Sequence, residues 1–149
     1  MSERHRRLKL SHALNLVACT LLLAACDPVG AQCPEGARAF WQSFREDALS
    51  SDPARIAART RFPFQLGGTL DASGVKKVER TEFADLVPKL LAADPGLSPT
   101  PTTMRKLAAA TTAPTPESCN GDGTQLRVGT WVFALTDQGW RFVQAYVDD

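Results

Sequence analysis

The sequence predicts an α+β fold: N-terminal helices packed on a curved antiparallel sheet, cone-like, with a C-terminal β-hairpin. Three observations predict it. Apolar residues recur at helical spacing through the first half of residues 35–149, strand-like residues fill the C-terminal stretch, and the length leaves room for one domain. Phe40, Trp41, Phe44 and Ala48 fall at i, i+1, i+4 and i+8, which predicts a helix over 35–50 with one apolar stripe. Asp52-Pro53 is an N-cap followed by proline at the first helical position, opening a short helix to about Thr60. Phe62 precedes a proline, so 61–65 is expected to be extended. Gly67-Gly68 and Ser73-Gly74 bracket a turn or short hairpin before a strand at Val75 to Val78.

Phe83, Leu86, Val87, Leu90 and Leu91 then sit at i, i+3, i+4, i+7 and i+8, a second helix that Thr81 is placed to cap. Pro88 inside it removes one backbone bond and is expected to kink it. A breaker stretch, DPGLSPTP, precedes one more short helix at 103–110, and 111–124 reads as a loop carrying Cys119. Gly121-Asp122-Gly123 inside it is a turn, since the twelve-residue calcium-loop pattern is absent. Leu126 to Leu135 and Trp140 to Val147 read as two strands, with Gly139 at the left-handed position of their connection. Strict alternation puts Trp140, Phe142, Gln144 and Tyr146 on one face, the expected wall of a pocket. Arg141, Val143, Ala145 and Val147 take the other, so the hairpin is covered on both sides or joins a second copy through the sheet.

The first 25 residues read separately. Arg4 to Lys9 form a positive region, and Ala13 to Ala25 an apolar stretch of thirteen residues. Thirteen are too few for a membrane helix, which needs about 20. Leu23-Ala24-Ala25-Cys26 resembles the lipobox of bacterial lipoproteins at all four positions. The resemblance implies a lipid thioether on Cys26, cleavage before it, and acylation of the new amine. Ordinary secretion, with cleavage after Val29-Gly30-Ala31, is the competing reading. The organisation expected is a signal peptide at 1–25, a lipidated cysteine and tether at 26–34, and one domain at 35–149. The expected location is the extracytoplasmic, periplasmic side of the cell membrane; Asp27 favours inner-membrane retention under the enterobacterial sorting rule.

Of 17 basic and 16 acidic residues, the first 25 positions hold four and one, leaving 13 and 15 in the mature chain. A near-neutral, slightly acidic chain lacks the overall basic signature of a nucleic-acid binder. Both histidines, His5 and His12, lie in the signal. The mature chain therefore has no histidine base, no Ser-His-Asp machinery and no imidazole zinc site. No cofactor is expected. Cys19 falls in the signal and Cys26 takes lipid, so Cys33 and Cys119 remain as a pair in an oxidising compartment, and a disulfide is expected between them.

The order of elements, with an F-P extended segment, a T-E-F helix start and a terminal GWRFVQAYVDD strand, resembles the nuclear-transport-factor-two-like family over about residues 35–149. The resemblance implies an α+β cone whose curved sheet wraps around helices. Enzymes of that fold include an isomerase that uses a tyrosine and aspartates. Two functions follow as expectations. One is a non-catalytic module of the cell envelope that binds a hydrophobic small ligand or an envelope protein. The other is a small isomerase- or hydrolase-like enzyme pairing Tyr146 with a carboxylate such as Glu82 or Asp85.

Overall fold

A computed structural model describes residues 33–68, 74–96 and 102–147. The signal, Cys26 and Asp27 lie outside the described residues. Helix α1 (Glu35–Ser50) buries Ala37, Trp41, Phe44 and Ala48, the stripe that the helical spacing marks out. In α2 (Pro53–Ala58), Asp52 Oδ1 accepts the amides of Ala54 at 2.9 Å and Arg55 at 3.4 Å, satisfying donors that the first helical turn leaves free. Strand β1 (Thr60–Gly67) pairs antiparallel with β2 (Val75–Val78).

Helix α3 (Arg80–Ala92) begins two residues earlier than a Thr81 cap would allow. The cap is Glu79, whose backbone is extended and whose amide donates to Glu82 Oε2 at 3.3 Å. The helix continues through Pro88 and buries Phe83, Val87, Leu90 and Leu91. Helix α4 (Met104–Ala110) starts at Thr103, whose hydroxyl accepts the Lys106 amide. Its far end is closed by α1: Arg45 donates to the carbonyls of Ala108 and Ala109, both at 2.7 Å, and Trp41 Nε1 donates to Thr111. Arg105 returns the favour, donating to Leu49 O at the end of α1.

The C-terminal region holds three strands where two were expected. Residues 126–135 divide at Gly129, which adopts φ +55 and comes so close to α4 that a Cβ there would sit 2.7 Å from Leu107 and Met104. The result is β3 (Gln125–Val128), β4 (Trp131–Thr136) and β5 (Gly139–Tyr146), a meander with Gly139 at φ +84. Sheet order is β2-β1-β5-β4-β3, curled but not closed. The class is α+β, but the sheet is mixed, which corrects the wholly antiparallel expectation: β1 and β5 run parallel. Helices α3 and α4 cross between them along the chain, and such a crossover is what lets parallel neighbours form.

The core lies between the sheet's concave face and α1 and α3. The ring of Phe44 stands 4.8 Å from Phe133 and 5.0 Å from Phe142, and Phe83 stands 5.2 Å from Phe64, all near edge-to-face. Phe40 packs on Phe133, and Leu86 is half-buried against the same cluster. Cys33 and Cys119 form a disulfide with Cα atoms 5.4 Å apart, tying the start of α1 to the segment before β3.

Candidate functional site

The expected four-residue wall on β5 does not exist as one face. Phe133 pairs with Phe142, yet Val132 pairs with Gln144, so Val143 is an extra residue in β5. Such a bulge reverses the alternation beyond it. Trp140, Phe142 and Ala145 consequently face the core, with Ala145 fully buried, while Gln144 and Tyr146 are half-buried on the opposite side. A strand read by period two alone cannot register this inserted residue.

Gln144 and Tyr146 instead line a cleft of about 390 Å³ on the outer side of the sheet, with Arg127 and Val132. Its rim is the segment Glu117 to Asn120, which the Cys33 bridge holds in place. The Tyr146 ring covers Gly67, where a Cβ would come within 3.0 Å of it. The Arg127 guanidinium lies 5.2 Å from the Tyr146 ring centre, and its Nε donates to Gly129 O. Glu117 is the carboxylate at this rim. Hydrogen bonds from its own amide and from the Thr115 hydroxyl hold its carboxyl below the ordinary range, so it is ionised at neutral pH. Among the described residues, the Tyr146 hydroxyl donates to no carboxylate. Glu82 is engaged at the start of α3, and Asp85 is exposed on the same helix. Neither is brought to Tyr146.

A second concavity, about 360 Å³, opens among α2, α3 and α4. Pro53, Val87, Pro88, Leu91 and Ala92 make it apolar, and Thr103 and Arg105 stand at its side. Val87 and Leu91 also close a small interior cavity, whose far wall includes Phe44, Trp131 and Phe142. The Trp131 indole N–H is buried and has no partner among the described residues.

No family model matches the chain, and no curated protein or solved structure matches it. Among the described residues, no group of three His, Cys, Asp or Glu is placed to hold a metal ion. No described helix is long and apolar enough to cross a membrane.

One buried carboxylate escaped the sequence reading. Asp47, only 2 % exposed, sits three residues after Phe44 on the buried side of α1. It pairs with Arg55 at 2.7 Å and with Arg59 through Nε and Oδ2. The signal was available in retrospect: an acid on an apolar stripe, followed by two arginines four apart. Asp47 locks α1 to α2 and so fixes the α2 side of the apolar groove.

Proposed function

We propose that the chain is the precursor of a bacterial lipoprotein, anchored through Cys26, whose domain binds a small hydrophobic ligand outside the cytoplasm without transforming it. The anchor rests on Leu23 to Cys26 following a short apolar core. Disulfide pairing of Cys33 with Cys119 suits the oxidising side of the membrane. Asp27 favours the inner membrane, and a curled sheet around helices accords with the nuclear-transport-factor-two-like resemblance.

The observation that carries ligand binding is the groove among α2, α3 and α4. Its walls are mostly apolar, its volume falls in the range of small-molecule sites, and Arg105 offers one cation beside it. A ligand with a hydrocarbon body and an anionic end fits that chemistry. The outer cleft favours the enzyme reading only in joining Tyr146 to one carboxylate, Glu117. Glu117 is ionised and fully exposed to water, a poor setting for a tuned acid or base.

The test is calorimetric titration of a medium-chain fatty acid into the protein. Ala92→Trp, at an exposed position on the groove wall, is expected to weaken binding by at least about tenfold. Gln144→Leu, on the other side of the sheet, leaves it unchanged. Equal affinity in wild type and Ala92→Trp would refute the groove as the site.

A further inference from the structure

The five strands carry Arg61, Lys76, Lys77, Arg127 and Arg141 and not one aspartate or glutamate. Registers place most of this charge on one side. Lys77, Gln65, Gln144, Val132 and Arg127 form a row across all five strands on the outer face. Arg141 lies in the next row beside Ala134 and Gln125. Arg61 lies where the β1–β5 register shifts, between Thr60 and Gln65, and lines a separate cleft with Asp137, so it does not belong to this row of charge. Among the described residues, none of Lys77, Arg127 and Arg141 is in an ion pair, since both ion pairs use Asp47. Among the described residues, Glu117 is the carboxylate lining the cleft on this face. Among the described residues, no α-helix covers this side of the sheet.

We propose that this outer face rests against the anionic headgroups of the membrane to which the chain is tethered. The inference deepens the lipoprotein reading and rests on it. Cys26 precedes Cys33 by seven residues, which reach at most about 25 Å. A domain of this size is about 35 Å across, so the tether keeps it within less than its own width of the bilayer. The tether enters the fold at Cys33, which is bonded to Cys119, and Cys119 borders the outer face beside Arg127. The attachment point therefore lies at the edge of the sheet next to Arg127, bordering the cationic face. Each cation held near an anionic leaflet adds to the attraction, and the three on this face act together. A second copy docking face to face would oppose three cations to three cations. Lipid headgroups fit the charge where another copy does not.

The experiment reconstitutes the full processed lipoprotein in vesicles of phosphatidylcholine, alone or mixed with phosphatidylglycerol. Amine acylation is read by mass spectrometry at Lys77, on the outer face, and at Lys106, on α4. In anionic vesicles at low salt, Lys77 is expected to react about fivefold more slowly than in neutral ones, with Lys106 unchanged. Raised salt or the double variant Arg127→Gln, Arg141→Gln should remove the protection. Equal Lys77 rates in both vesicles, or protection of Lys106 instead, would overturn the proposal. So would protection seen only in native envelope membranes, which would point to an acidic protein partner. A chain that floats with neither vesicle would refute the anchor itself, and a chain that floats with both but leaves Lys77 equally reactive refutes only the docked face.

Discussion

Single side chains decide where this fold is rigid. Asp47 is a carboxylate in the hydrophobic layer, and it is tolerated there because two guanidinium groups meet its two oxygens. The arginines are half-exposed and can turn to water if released, so the cost of removing the acid is moderate. Asp47→Asn is expected to lower stability by about 1.5–3 kcal/mol, read as a shift of the urea midpoint at unchanged slope. A loss below about 0.5 kcal/mol would mean that packing alone positions α2. The sequence reading passed over Asp47 because an acid on an apolar stripe carries no label for its partners. They sit on another helix, brought near by the turn at Ser51.

At the scale of elements, most helices were legible and the strand faces were not. Helix α1 and strand β2 lie where spacing and turn residues put them, since both signals are local. Pairing direction and the bulge are non-local. Nothing in GWRFVQAY announces that β5 will lie parallel to β1, or that Val143 will be squeezed out of register. The bulge makes a direct prediction. Ala145 is fully buried and Gln144 half-exposed, the reverse of an unbroken alternation. Ala145→Glu should unfold the domain or cost more than about 3 kcal/mol, because it buries an unpaired carboxylate. Gln144→Glu should cost less than about 1 kcal/mol at an outer position. Denaturant titration of the two variants separates the cases, and the opposite order would restore the unbroken strand.

The whole molecule is a curled sheet with two unlike faces, clipped to its own N-terminus. The disulfide closes a separation of 86 residues, for which the chain-entropy model gives about 4–5 kcal/mol. Replacing both cysteines by serine is expected to cost about 2–5 kcal/mol in thermal or denaturant unfolding. A negligible change would show that Cys33 is held by packing alone. The Cys33–Cys119 bridge was readable by simple arithmetic on the cysteines. The groove and the cationic face were not, since each is assembled from elements far apart in the chain.

The central claim is that this domain works at a membrane through lipid on Cys26, and one mass measurement addresses it directly. Protein extracted from the membranes of expressing bacterial cells should begin at Cys26 and carry the mass of a diacylglyceryl group and an amide-linked acyl chain. Its Cys33–Cys119 bridge should be intact, and Cys26→Ala should abolish the added mass. A mature chain that begins after Ala31, with no lipid, would contradict the account.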